Sequence, residues 1–156
     1  MALASKSYPR VELARAKVNL ALHITGRQPD GYHLLDSLVV FPQIGDRLAI
    51  EAAGELDLQV EGPFARDLTG PVEDNLILKA VRSFAEKAGI DVPQVRLTLT
   101  KRLPVASGIG GGSSDAATTL RLLEDFTGTY LAEEDLHALA LTLGADVPVC
   151  LFPEPQ

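Results

Sequence analysis

Between Ser107 and Ser114 the chain reads Ser-Gly-Ile-Gly-Gly-Gly-Ser-Ser, four glycines and three serines in eight residues. Such a run has little side chain to offer a core. Its use lies in its backbone, because glycine takes positive φ and lets another group come close to the main chain. A helical pattern starts directly after it. Ser113 or Ser114 would cap that helix, with Ala116, Ala117, Leu120, Leu123 and Phe126 or Thr127 on its buried side. Loop amides and the positive end of the helix then converge on one spot, an anion site suited above all to phosphate.

Two common glycine loops do not fit. A Walker A loop ends in Gly-Lys-Ser/Thr, whereas Gly112 is followed by Ser113, Ser114 and Asp115. The dinucleotide fingerprint G-x-G-x-x-G is met by Gly108 and Gly110, but Ser113 stands at the third glycine. This loop would hold an anion with backbone amides, serine hydroxyls and a helix start.

Around the loop, periodicity sets the other elements. Glu12 to Ile24 alternates, which predicts one strand with Ala14, Ala16, Val18, Leu20, Leu22 and Ile24 on its buried face. Lys17 and Asn19 then project the same way, about 7 Å apart. Gly26 to His33 contains the turn signal Pro-Asp-Gly. Leu34 to Phe41 reads as a strand, and Arg47 to Ala52 with Leu56 to Val60 as a hairpin. Asp74 or Asn75 would cap a helix running to Ala88 and stopped by Gly89. Val95 to Leu103 alternates as a strand, Glu133 to Leu143 is helical, and Asp146 to Phe152 reads as extended, with Pro148 holding Val147 extended. Strands come first, then a mixture, which predicts an α+β domain with a mixed sheet and not a regular βαβ array.

At 156 residues the chain is one domain. A net charge of −7 argues against a nucleic-acid surface, though not against a small anion held by local donors. Cys150 is the single cysteine and lies in an apolar run, so it reads as a buried, unreactive thiol in a reducing, cytoplasmic setting. The N-terminus lacks the apolar core of a signal peptide, and no apolar run reaches the roughly 18 residues of a membrane span.

Several stretches occur together in order: Ala16-Lys17-Val18-Asn19-Leu20, Gly26-Arg27, Asp30-Gly31-Tyr32-His33, Asp74-Asn75-Leu76-Ile77, Pro104 to Ala117 and Gly144-Ala145-Asp146-Val147-Pro148. With them the chain resembles the galacto-, homoserine, mevalonate and phosphomevalonate (GHMP) kinase superfamily. Asp-Gly-Tyr-His, joined to Ala-Lys-Val-Asn and Gly-Ala-Asp-Val-Pro, is similar to the branch acting on 4-diphosphocytidyl-2-C-methyl-D-erythritol in non-mevalonate isoprenoid biosynthesis. The resemblance implies the family's N-terminal domain, a ribosomal protein S5 domain 2-like fold with helices on one side of its sheet. It implies an enzyme, a cytoplasmic ATP-dependent kinase that phosphorylates the 2-hydroxyl of that substrate.

The resemblance also assigns roles. Asp146 would accept or orient the hydroxyl proton, with Lys17 beside it as the second catalytic residue. Pro104, Val105, Ala106, Ser107, Gly108, Ile109, Gly110, Gly111, Gly112, Ser113 and Ser114 would wrap the ATP phosphates. Asn75, already explained as a helix cap, gains an adenine contact. Tyr32 and His33 would contact the cytosine, and Asn19 the methylerythritol end. Lys101 and Arg102 either attract the triphosphate or form a solvated strand end. His23 and His137 read as structural. Mg²⁺ is expected to arrive with ATP, but the sequence shows no carboxylate cluster for it and no metal site is assigned. Asp115, at the helix start, either meets that ion or complements the helix dipole.

Relatives of this kind are nearly twice as long, so residues 1–156 are expected to be the ATP-binding, catalytic N-terminal domain without its C-terminal partner. Weak or absent turnover of this chain alone is then expected, and the face left uncovered would favour aggregation or homodimerisation. The competing readings are another GHMP small-molecule kinase and a nucleotide-binding fragment without turnover.

Overall fold

The computed structural model describes residues 9–27, 29, 33–105 and 108–153; the side chains of 21–25, 27 and 33–37 lie outside that description. The strands are β1 (Arg10–Arg15), β2 (Val18–Arg27), β3 (His33–Val40), β4 (Gly45–Ala52), β5 (Asp57–Glu61) and β6 (Val95–Thr100). The helices are α1 (Leu76–Ala88), α2 (Gly111–Thr127), α3 (Glu133–Leu143) and the single turn α4 (Val147–Cys150). Four strands form a mixed sheet in the order β1-β4-β6-β5, and β2 pairs with β3 separately.

The sheet buries one face. In β6, Val95, Leu97 and Leu99 are buried while Arg96, Thr98 and Thr100 are half-exposed. Leu48 and Ile50 of β4 continue that face. Against it lie Ile77, Val81 and Phe84 of α1 and Leu120 and Leu123 of α2, in one continuous core. Each of these large side chains contributes roughly 1.5–3 kcal/mol on burial, which makes this face the main source of stability. The expected α+β class, mixed sheet and one-sided helices are all present.

Three local expectations are corrected. The alternating stretch at 12–24 is not one strand. It breaks at Ala16 and Lys17, whose amides bond Ile44 O (2.8 Å) and Ile109 O (2.9 Å), and β1 and β2 join different sheets. Ala14 and Ala16 are buried, but Leu20 is 60% exposed. Alternation reports a pleat and cannot show that the chain changes sheets halfway. The break is set by a close approach: a Cβ at Gly45 would lie 2.0 Å from Ala14 O, so only glycine lets β4 begin against the end of β1.

The predicted hairpin is also absent, because β6 lies between β4 and β5, antiparallel to the first and parallel to the second. Ala53 N bonds Gln94 O (3.0 Å), tying the chain after β4 to the start of β6. The more apolar β6 takes the central place, and β5, with Leu58 as its buried residue, takes the edge. Arg96 Nε donates to Asp57 Oδ2 (3.0 Å) across that parallel pair.

Finally, the expected extended tail contains α4. Pro148 sits in its first turn, where a missing N–H leaves no helical bond unmade, so Val147 is helical and not held extended.

Candidate active site

Lys17 and Asp146 stand 129 positions apart in sequence, yet Lys17 Nζ donates to Asp146 Oδ1 at 2.9 Å. Lys17 follows the end of β1 and is buried, its side chain 9% exposed; the Asp146 side chain is 54% exposed. The ammonium is thus fixed by packing and the carboxylate stays open to a ligand. Asp146 occupies the N-cap position of α4 but makes no side-chain capping bond, which leaves its carboxylate for Lys17.

The glycine loop reaches the same place. Ile109 O accepts from Lys17 N, and Gly110 has φ 67°, a left-handed conformation that side chains resist. A Cβ at Gly110 would lie 3.1 Å from Lys17 Cβ. Gly110, not Ser113 or Ser114, is the N-cap of α2; both serines fall inside its first turn, and Ser114 N bonds Gly110 O (2.9 Å). The sequence signal misled because a serine before an apolar stripe resembles a cap, while the glycines themselves had already begun the helix. Pro104, Val105, Gly108, Ile109, Gly110, Gly111, Gly112 and Ser113 line a cavity of about 610 Å³ together with Asn75, Lys101 and Asp115. Ser114 is buried and does not line it.

Beneath the loop lies a buried charged trio. Lys101 Nζ bonds Asp46 Oδ2 and, at 3.3 Å, Asp115 Oδ2. Asp46 Oδ1 accepts from the amides of Arg102 (2.5 Å) and Leu103 (2.8 Å). Two carboxyls therefore share one ammonium out of water. Burial, aided by the charge of Asp46 and opposed by Lys101, pushes the Asp115 carboxyl up to about 8. Asp46 accepts from three donors and Asp115 only from Lys101, so burial leaves the Asp115 carboxyl favouring its protonated form. Asp115 Oδ1 has no partner among the described residues. A Cβ at Gly111 would lie 3.0 Å from Lys101 Nζ, so the trio fits directly under the helix start.

Residues 75–154, about half of the chain, match the family described as GHMP kinases N terminal domain. The chain belongs to the GHMP kinase family. Curated relatives in that family include the 4-diphosphocytidyl-2-C-methyl-D-erythritol kinase of Granulibacter bethesdensis, 58% identical over 147 residues, 92% of this chain and 48% of the relative. The kinase of the same name from Ruegeria pomeroyi is 54% identical over 142 residues, 91% of this chain and 48% of the relative. A crystal structure of 4-(cytidine 5'-diphospho)-2C-methyl-D-erythritol kinase is 40% identical with a TM-score of 0.71, covering 91% of this chain and 48% of that one. A homoserine kinase from Cytophaga hutchinsonii, 15% identical with a TM-score of 0.65 over 99% of this chain and 46% of that one, shares the fold. The chain spans about half the length of the curated relatives it matches.

Within this GHMP kinase domain, the structure brings Lys17, Asp146 and the glycine loop together. Asn75 caps α1, its Oδ1 accepting from Ile77 N (2.9 Å), and also lines the cavity, which leaves its amide nitrogen as the remaining donor. Asn19 is exposed on β2, opposite Val39. His33 begins β3, and its side chain, like all of Tyr32, Ala106 and Ser107, lies outside the described residues. Lys101 is neither a triphosphate attractor on the surface nor a solvated strand end: it is buried and neutralised by Asp46. Asp46 carries no sequence signal of this role, because its partners Lys101, Arg102 and Leu103 come from beyond β6. Cys150 is buried, and burial raises its thiol to about 11, as expected of an unreactive cysteine.

No cluster of three or more His, Cys, Asp or Glu side chains suited to a metal occurs among the described residues. Asp115, which lines the cavity, already gives Oδ2 to Lys101 at 3.3 Å. No residue is assigned to Mg²⁺ among those described. No helix among the described residues is long and apolar enough to cross a membrane.

Proposed function

We propose that this chain is the ATP-binding, catalytic domain of a small-molecule kinase that phosphorylates the 2-hydroxyl of 4-diphosphocytidyl-2-C-methyl-D-erythritol, an isoprenoid-precursor reaction. The observation that carries this reading is the 2.9 Å contact of Lys17 with Asp146 at the edge of the glycine loop. The relatives' names support the acceptor.

Phosphoryl transfer asks a protein mainly for positioning and charge neutralisation. The ATP phosphates would lie along Gly108 to Gly112, against loop amides and the N-terminal end of α2. The acceptor hydroxyl would face Asp146, which takes its proton as the new O–P bond forms. The bond from the γ-phosphorus to the β–γ bridging oxygen breaks, and ADP leaves. Lys17 would hold the carboxylate in place and offset negative charge on the transferring phosphoryl group. Asn75 would donate its amide N–H to the adenine. Tyr32, His33 and Asn19 would take the cytosine and methylerythritol ends. Any Mg²⁺ would enter with ATP, held by phosphate oxygens.

The relatives' remaining half is required, in this reading, to close over the nucleotide and the acceptor. A nucleotide-binding domain without turnover is the second reading, favoured by a glycine-loop cavity whose lining includes Asn75 but neither Lys17 nor Asp146. The test is ADP formation from ATP with the cytidine substrate, homoserine or mevalonate, for the chain alone and with the C-terminal half of a curated relative added. Turnover confined to the cytidine substrate supports the first reading. ATP binding without product in every arm supports the second.

A further inference from the structure

We propose that Arg121 is a positioning residue that sets the distance between Lys17 and Asp146. The inference rests on the reading of that pair as catalytic, but its geometry stands by itself. Arg121 projects from α2 and is partly buried, its side chain 21% exposed. Its Nη1 donates to Cys150 O (2.9 Å) and Leu151 O (3.0 Å), at the end of α4. Its Nε and Nη2 both reach Glu12 Oε2 at 3.0 Å, on β1. Nη2 also donates to Thr118 Oγ1 (3.0 Å) on its own helix. One cation thus joins the strand that runs into Lys17 to the turn that begins at Asp146.

The two ends of this link differ in what else holds them. β1 is fixed along its whole length by pairing with β4. α4 is a single turn, too short to stabilise itself, and its final carbonyls have no helical partner. Val147, Cys150 and Leu151 are buried in the core and keep α4 on the domain. Apolar burial is not directional, however. It does not fix rotation or position along the helix axis, and a hydrogen-bonding fork does. The carboxylate of Asp146 has no capping bond of its own to hold it. Arg121 therefore decides where that carboxylate sits relative to Lys17, through bonds to Glu12, Thr118, Cys150 and Leu151.

The test uses Arg121→Met, which keeps an apolar stem and removes the fork, and Arg121→Ala with guanidinium added back. Two quantities are read with the relatives' C-terminal half present: kcat against KM for ATP, and the ¹⁵N NMR signal of the Lys17 ammonium, protected from exchange by its bond to Asp146. Arg121→Met is expected to lower kcat by roughly 10–100-fold, as about 1 Å of misplacement does, with KM for ATP within about twofold. The Lys17 signal should broaden or vanish, and guanidinium should restore both in Arg121→Ala. A folded Arg121→Met with wild-type kcat and an intact Lys17 signal overturns the proposal, as does failed rescue in a folded Arg121→Ala. If Arg121→Met does not fold, Glu12→Gln reads the same two quantities, and unchanged values there overturn it. If the wild type shows no turnover, the proposed function fails, and the ammonium signal alone still decides whether Arg121 sets the pair.

Discussion

Gly110 lies directly against Lys17: a Cβ at 110 would come within 3.1 Å of the lysine's own Cβ, and the glycine's φ of 67° is left-handed. The glycine loop and Lys17 are therefore one packed unit. Gly110→Ala forces both a left-handed alanine, costing about 1–2 kcal/mol, and a shift of Lys17 or the loop. The expected outcome is a loss of stability of that size in urea, with weaker binding of a fluorescent ATP analogue. Unchanged nucleotide affinity would separate the loop from the phosphate site.

Asn75 caps α1, and a single substitution can divide that duty from the adenine contact proposed for it. Asn75→Asp keeps an oxygen for Ile77 N and so keeps the α1 cap, but removes the amide donor. Stability should stay within about 0.5 kcal/mol of wild type. Affinity for ATP should fall by roughly tenfold, the value of about one hydrogen bond. Asn75→Ala should lose both, with about 1 kcal/mol of helix stability. If Asn75→Asp binds ATP as wild type does, the residue is a cap alone.

Asp115 links folding to pH. Its carboxyl ionises at its ordinary 3.8 when unfolded and at about 8 when folded. Between those values the folded state holds a proton that the unfolded state has released. Stability is therefore full below about pH 4 with respect to this group, falls as pH rises, and levels off above about 8. The slope is at most about 1.4 kcal/mol per pH unit. Thermal melts from pH 5 to 8 should show that fall, and Asp115→Asn should flatten it. A wild-type slope that persists in Asp115→Asn would place the proton elsewhere.

Phe84 of α1 is fully buried in the continuous core that also contains Leu97 and Leu99 of β6. Phe84→Ala should cost about 3–5 kcal/mol, measured by denaturant unfolding of the isolated domain. A cost below about 1 kcal/mol would mean that the core is not continuous across α1 and β6.

These outcomes depend on features of unequal legibility. The cap at Asn75, the stop at Gly89 and the pleat of Val95, Leu97 and Leu99 were visible because each is a local signal acting within a few residues. The Lys17–Asp146 contact was not readable from spacing; it came from resemblance to a family, since packing alone brings residues 129 positions apart into contact. Asp46 and Lys101 were missed as a pair for the same reason. The β4–β5 hairpin failed because turn chemistry cannot show that a later strand will insert between two earlier ones. The tail failed because a proline in a helix's first turn and a proline in an extended chain look alike in sequence.

The most direct test of the catalytic account is phosphate transfer by Asp146→Asn. The protein, with the relatives' C-terminal half added, is given radiolabelled ATP and the cytidine substrate. Wild type should form the labelled phosphate ester. Asp146→Asn, folded and binding ATP normally, should lose roughly 10²–10⁴-fold in kcat, the usual value of a positioned proton acceptor. An Asp146→Asn protein that forms the ester at the wild-type rate would contradict the assignment of Asp146 and, with it, the role given to its contact with Lys17.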